Sequence, residues 1–357
     1  MQLTKTLLMA DFGLTIELPN DRLCPPIPNR HSYILWLKGL LDTTSYEPPG
    51  RKLYIDEKSL GYADKNVHAN GLEDRIRVLE RRPEDPLIPI EELGLESIDF
   101  VMTNPPFYTS EDEMLSSARE KERPPHSVCT GAPVEMVCEG GEVAHIGRML
   151  QESLLLRERV QWYTAMLGKA TSVEALVEKL RAHNIDNFAV TEFVQGNKTR
   201  RWALAWSFGP MRPTEDIARG TKASHWKKLL PPPSRILLHT ATSETPPSSL
   251  IGKLVEAVSA LELMQWSWNK EASRGVGRAA ENVWCRAWRR KKLHALSEDE
   301  QTQQLPEDYK LGFAVTVEVG RQETVVSLHW LEGHDQAIFE SLGGYLQGKL
   351  RTIMSKR

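Results

Sequence analysis

Four consecutive residues, Asn104, Pro105, Pro106 and Phe107, have types and spacing that could do chemistry. They follow a short apolar run, Ser97 to Thr103 (S-I-D-F-V-M-T), that reads as a buried parallel strand. Open α/β sheets bind ligands at the carboxyl ends of such strands. Asn104 offers a side-chain carbonyl and Pro105 a backbone carbonyl, and each can accept one N–H of an exocyclic amine such as that of adenine. That amine is a poor nucleophile because its lone pair is delocalised into the ring. Holding both N–H groups favours the pyramidal form and aims the lone pair, and no strong base is required. The prolines stiffen the loop, and Phe107 supplies a ring on which a flipped-out base can stack. Without its strand, the same tetrapeptide is equally an ordinary turn.

Cations that could grip a polyanion fall in two patches. Lys198, Arg200 and Arg201 form one; Arg286, Arg289, Arg290, Lys291 and Lys292 form the other, with Trp284 and Trp288 interleaved. The formal net charge is −3, so any nucleic-acid binding has to come from local patches such as these. A solvated charged face explains each patch as well. Trp284 and Trp288 are four apart and share a helical face, which is more often core than a stacking platform. The four cysteines, Cys24, Cys129, Cys138 and Cys285, have no C-x-x-C spacing, so neither a metal site nor a disulfide framework is expected. No apolar run approaches the ~18 residues of a membrane span, and the start lacks the layout of a secretory signal. An intracellular chain with no membrane partner is the expectation.

The elements that must position the tetrapeptide read as alternating strands and helices. A helical pattern covers Gly147 to Arg159, a strand Val160 to Leu167, a helix Ser172 to His183, and two strands Phe188 to Val194 and Trp202 to Phe208. This alternation predicts an α/β, doubly wound sheet, with an antiparallel edge where the last two strands form a hairpin. Gly209 to Ser234, rich in proline, lysine and polar residues, reads as a linker between a first domain (1–208) and a second (235–357). The second reads as a smaller α+β domain: a helix Ser248 to Leu263, strands Gly312 to Val319 and Glu323 to Trp330 hairpinned at Gly320, and a helix Gln336 to Leu350. Gly275-Val-Gly277 is not a nucleotide fingerprint, because it neither follows a strand nor completes G-x-G-x-x-G.

Several ordered blocks make the chain resemble a known family over about residues 1–208. They are D-F-G-L (Asp11 to Leu14), I-P-N-R-H-S-Y-I-L-W (Ile27 to Trp36), D-F-V-M-T-N-P-P-F, R-P-P-H-S-V-C-T-G-A-P-V-E-M-V-C-E-G-G-E (Arg123 to Glu142), W-Y-T-A-M-L-G-K (Trp162 to Lys169), T-E-F-V-Q-G (Thr191 to Gly196) and R-W-A-L-A-W-S-F (Arg201 to Phe208). Together they resemble the methyltransferase-like 16 family, whose bacterial relatives methylate a ribosomal RNA adenine and whose eukaryotic members methylate an adenosine of U6 small nuclear RNA. The resemblance implies a Rossmann-like class I methyltransferase using S-adenosyl-L-methionine, acting on structured RNA, in the nucleus or otherwise the cytoplasm. It implies catalytic roles for Asn104, Pro105, Pro106 and Phe107 and a donor-carboxylate contact for Arg30, for which a surface salt bridge is the plain alternative. It also implies phosphate contacts for Lys169, Lys198, Arg200 and Arg201, a pocket-shaping role for Glu139 to Glu142, and an accessory RNA-binding role for the second domain through residues such as Arg289 and Arg290. The glycines of E-G-G-E read equally as a helix-entry turn.

One segment departs from the family pattern. Before its second helix, a class I methyltransferase needs a strand, a glycine loop, a helix and a second strand ending in an acid for the ribose hydroxyls, a unit of ~30 residues or more. Here one helical pattern ends near Leu41 and the next is already Lys58 to Gly71; only Gly50 lies between. Tyr54 stands where the acid belongs, with Asp56 or Glu57 as poor substitutes. The first strand-loop-helix unit is therefore expected to be missing, as is the basic module that precedes D-F-G-L in the family. Two readings follow, a truncated adenine-N6 RNA methyltransferase and a catalytically dead RNA-binding scaffold. The tetrapeptide alone also admits an Asn-Pro-Pro methyltransferase acting on DNA adenine or protein glutamine.

The second patch generates a test. Replacing Arg286, Arg289, Arg290, Lys291 and Lys292 together should flatten the salt dependence of RNA affinity, by roughly 0.7–0.9 in log–log slope for each phosphate that is no longer neutralised. An unchanged slope would remove this patch from the RNA interface.

Overall fold

The computed structural model describes residues 2–18, 27–45, 53–55, 60–80, 82, 84–119, 136–195, 199–221, 228–242, 246–288, 290 and 309–354. The chain divides into two compact units, Met1–Gly209 with Arg219–Leu230, and Pro210–Ala218 with Pro231–Arg357. Among the described residues, no helix is long and apolar enough to cross a membrane.

In the first unit, helices α1 (Gln2–Phe12) and α2 (Ile27–Thr43) precede strand β1 (Leu53–Ile55), helix α3 (Leu60–Ala69) and strand β2 (Ile76–Val78). Strand β3 (Ile98–Thr103), helix α4 (Glu111–Arg119), helix α5 (Gly141–Leu156), strand β4 (Val160–Leu167), helix α6 (Ala170–Ala182) and the hairpin β5 (Phe188–Gln195) and β6 (Thr199–Trp206) follow, with a two-residue strand β7 (Arg219–Gly220). The main sheet runs β3-β4-β6-β5-β7. β3 and β4 are parallel, with Phe100 opposite Trp162, while β4–β6 and β5–β6 are antiparallel.

β4 is buried at every position except Gln161, as an uninterrupted V-Q-W-Y-T-A-M-L run demands of a strand covered on both faces. Its alternate residues serve different layers. Tyr163, Ala165 and Leu167 join Ile146, Met149, Leu150, Val173 and Val177 of α5 and α6 in one core. The opposite face meets α2: the Tyr33 hydroxyl lies 2.7 Å from Thr164 Oγ1, and Trp162 Nε1 donates to Thr44 Oγ1 at 2.9 Å. Helices on both faces make this the doubly wound, Rossmann-like sheet with an antiparallel edge that the sequence predicts.

The sheet is nevertheless interrupted. β1 and β2 pair only with each other, in parallel register from Leu53–Ile76 to Ile55–Val78, as a separate two-stranded sheet.

The second unit packs one sheet against helices. Strands β8 (Arg235–Thr242), β9 (Gln265–Asn269), β10 (Arg274–Ala279), β11 (Leu311–Val319) and β12 (Glu323–Glu332) form an antiparallel sheet of order β8-β12-β11-β10-β9. Helices α7 (Pro247–Ser259) and α8 (Gln336–Met354) contribute Leu254, Val258, Phe339, Leu342 and Leu346 to a core with Phe313, Val315, Leu328 and Trp330. Trp284 joins it at 3% exposure, as helical spacing favours for a tryptophan, and Trp288 packs at its margin.

Two expectations need correction. Residues 209–234 are not a simple linker. Within the first unit β7 pairs with β5; within the second, Arg212 is 5% exposed, donates from its backbone N to Leu331 O and from Nε to Gly333 O at 2.8 Å each, and lies 4.1 Å from the Trp330 ring centroid. A cation satisfied this way orders a proline-rich strap that composition reads as flexible. β8, β9 and β10 also lie outside the predicted elements. Gly275 and Gly277 are strand residues over which aromatic rings lie: a Cβ on Gly277 would sit 2.6 Å from Phe313 Cζ, and one on Gly275 would collide with Trp266.

Gly277→Val should therefore cost roughly 1–3 kcal/mol in urea unfolding through overpacking. Gly252→Ala, in α7 with nothing within 4 Å of the added Cβ, should instead stabilise by about 0.5–1 kcal/mol. Equal effects from the two would contradict the ring contact.

Candidate active site

Asn104 to Phe107 leave the end of β3 without regular structure. Pro105 is buried, and Asn104 and Phe107 are partly exposed. Among the described residues, neither the Asn104 side chain nor the Pro105 carbonyl takes part in a hydrogen bond, so both acceptors are available to a ligand. Tyr33 of α2 anchors the strand end from below. Its hydroxyl meets Thr164 and the Thr103 backbone, Thr164 Oγ1 donates to Val101 O at 2.8 Å, and burial pushes the phenol pKa up, so it stays protonated.

The Phe107 ring is fixed by what lies beside it. Gly168, directly after β4, comes so close that a Cβ there would sit 2.9 Å from Phe107 Cδ1, and the Arg201 guanidinium lies 5.4 Å from the ring centroid. Glu142 holds the Gly168 turn, accepting hydrogen bonds from Gly168 N at 2.7 Å and Lys169 N at 3.1 Å. Burial pushes this carboxyl's pKa up, against those donors and the Ser172 hydroxyl. Gly140 and Gly141 are both left-handed, with φ of 74° and 62°, and let the chain turn into α5 while Gly141 passes under the Phe107 carbonyl. The E-G-G-E segment is thus a helix entry and a wall of the site at once.

Arg30 is a half-buried cation. Its Nη1 approaches Met166 Sδ at 3.9 Å, no carboxylate partners it among the described residues, and burial followed by the Arg201 charge lowers its pKa, with Tyr33 opposing. Partial burial of a guanidinium without an anion is costly.

The expected phosphate contacts fare unevenly. Lys169 is engaged by Glu113, and Arg200 by Glu192. Arg201 instead faces Phe107, and Arg290 is exposed. Lys198, Arg289 and Asp56 lie outside the described residues. Tyr33 and Glu113 escaped the sequence reading; W-Y-T-A-M-L-G-K could have flagged Gly168, since a glycine closing a buried strand often marks a close approach.

A family model described as RNA methyltransferase, Methyltransf_10, matches residues 1–53 and 52–210. The chain belongs to this family. Its relatives include the Schizosaccharomyces pombe U6 small nuclear RNA (adenine-(43)-N(6))-methyltransferase, 32% identical over 98% of this chain and 92% of its own length. The mouse RNA N(6)-adenosine-methyltransferase METTL16 is 37% identical over 64% of this chain, which spans 46% of that relative's length. Among solved structures, the hMettl16 catalytic domain in complex with the MAT2A 3′UTR hairpin 1 is 38% identical and superposes with a TM-score of 0.52 over 58% of this chain and 78% of that one. The resemblance to the methyltransferase-like 16 family is thereby confirmed.

Two carboxyls beside the loop respond to pH in opposite senses. Lys169, then the Thr109 N–H and hydroxyl, hold the Glu113 pKa down to about 2. Glu113 thus adds stability that is present above the ordinary carboxylate range and lost as pH falls toward about 2. Glu142, whose pKa is raised, withdraws stability as pH rises above that range. Carboxyl-carbon NMR should show Glu113 titrating near 2, and Lys169→Met should move its midpoint up toward the ordinary glutamate range. An ordinary midpoint in the unsubstituted chain would contradict the ion pair.

Proposed function

We propose that the Asn104–Phe107 loop receives a target adenosine of a structured RNA, of the U6 small nuclear RNA kind, and holds its N6 amine in the orientation that the family's methyl transfer requires. The observation that carries this is the pair of available acceptors, Asn104 Oδ1 and Pro105 O, at the end of β3 beside the Phe107 ring. The base stacks on Phe107, whose ring Gly168 and Arg201 hold, and its two N–H groups go to the two acceptors. Extrusion of the base costs a few kcal/mol, which stacking and the paired hydrogen bonds offset. Arg201, over the Phe107 ring, is the cation beside the loop placed for RNA phosphate; Lys169 and Arg200 contribute after exchanging their carboxylate partners.

The methyl donor of the family is S-adenosyl-L-methionine. The orphaned guanidinium of Arg30 suits a donor carboxylate. The nucleoside end of that donor has no counterpart: nine residues separate the end of α2 at Thr43 from the start of β1 at Leu53, too few for a strand, a glycine turn and a helix. The residues present therefore do not fit the donor as a whole. The RNA-methyltransferase relatives favour RNA over the DNA-adenine and protein-glutamine readings, and the small nuclear RNA in the name of the Schizosaccharomyces pombe relative supports a nuclear location.

The test needs no donor. Hairpins carrying either adenosine or purine riboside, which lacks the amine, at one unpaired position are compared in a binding titration. The chain should prefer adenosine, Asn104→Ala should abolish the preference, and Phe107→Ala should weaken both hairpins by roughly 1–3 kcal/mol, the worth of one stacked base. Indifference of the unsubstituted chain to the amine would refute the reading.

A further inference from the structure

β3, which delivers Asn104, is supported on one side only. It pairs with β4, its other edge carries no ladder among the described residues, and none of its six residues is buried, although β4 beside it is buried almost throughout. A doubly wound sheet normally continues from this edge toward the βαβ half that holds a nucleotide. That half exists here in part: β1, α3 and β2 form a βαβ unit with parallel strands, but they make a sheet of their own. Among the described residues one strand is wanting between β1 and β3, and with it the turn and helix that would follow.

One comparison places the gap at the same point, and a second shows that residues of a relative face none here. The family model matches in two stretches that meet at residues 52–53, where β1 begins. The alignment with the Schizosaccharomyces pombe relative runs over 377 positions although this chain has 357 residues, so part of the relative faces no residue here. Sequence spacing, sheet topology and the break in the family match thus agree on one internal gap.

We infer that this chain grips a target adenosine without holding the adenosyl donor, and so acts as an adenosine-selective RNA binder rather than a methyltransferase. The inference rests on the adenosine-handling reading of the Asn104–Phe107 loop. The two halves of the site depend on different elements. Asn104, Phe107, Gly168, Glu142 and Arg201 come from β3, β4, α5 and β6 and the turns that leave them, all of which are in place. The donor's ribose and adenine would need the backbone of the absent turn and an acid where Tyr54 stands. Without two or three such charged or backbone hydrogen bonds, binding weakens on the order of a thousandfold or more, which the Arg30 contact alone does not recover.

The experiment uses the full chain and a second version with the unmatched segment of the Schizosaccharomyces pombe relative inserted after Lys52. Calorimetry with S-adenosylhomocysteine and titration with the adenosine and purine riboside hairpins are run on both. The unaltered chain should give no saturable heat with the nucleoside up to millimolar concentration while still preferring the adenosine hairpin; the restored chain should bind both. Micromolar S-adenosylhomocysteine binding by the unaltered chain, or methyl transfer to the hairpin, overturns the donor half of the inference. Failure of the folded, unaltered chain to prefer adenosine overturns the adenosine half, and the adenosine-handling reading with it.

Discussion

A buried carboxylate ties the end of β4 to the start of α5, and the Asn104–Phe107 loop depends on it. Glu142 is 2% exposed and accepts the backbone N–H groups of Gly168 and Lys169, donors that the turn after β4 would otherwise bury unsatisfied. Holding that turn against the start of α5 leaves Gly168 in contact with Phe107, so the stacking ring has a rigid floor rather than a rotamer choice. The carboxylate's burial disfavours its charge, and only the convergence of three donors makes it tolerable there. Polar satisfaction, not apolar packing, therefore sets the geometry of the loop.

The electrostatics beyond Glu142 follow the same logic with opposite outcomes. Lys169 and Arg200 sit near the site with carboxylate partners, so an RNA phosphate has to displace Glu113 or Glu192 to reach them. The two cations are solvent-accessible, and exchanging one anion for another costs such a pair little. Arg30 has no carboxylate to give up among the described residues. Its guanidinium, beside Met166 and under the influence of Arg201, is the one charge in this site whose burial lacks compensation from the described residues.

Much of this was legible in the sequence because the signals are local. Runs such as Val160–Leu167 and the hairpin of β5 and β6 declare themselves by uninterrupted or alternating apolar residues, and the prolines after Thr103 mark where a strand must stop. What escaped depends on distant partners. Nothing around Lys169 announces Glu113, 56 residues away, and nothing around Gly275 and Gly277 announces the tryptophan and phenylalanine rings above them. The strap through Arg212 failed for the same reason: its composition is that of a linker, and its order comes from Trp330 and Gly333.

The interrupted sheet shows why a chain of this kind can keep its core while one edge of its sheet is incomplete. The core of the first unit is assembled by α5, α6, β4, β5 and β6, and among the described residues α3 and β2 contribute nothing to that cluster. α2 is fastened independently, through Tyr33 to Thr164 and through Thr44 to Trp162 and Gln161. Removing a strand between β1 and β3 therefore takes backbone pairing from one edge of β3 without opening a cavity in the core, where volume loss is most costly. The donor cradle, by contrast, is made of the turn that such a strand would carry, and no packing elsewhere can reproduce a backbone N–H at that place. Stability is distributed over many contacts, whereas donor binding in such folds is concentrated in a few backbone groups, so an internal gap bears on the two very differently.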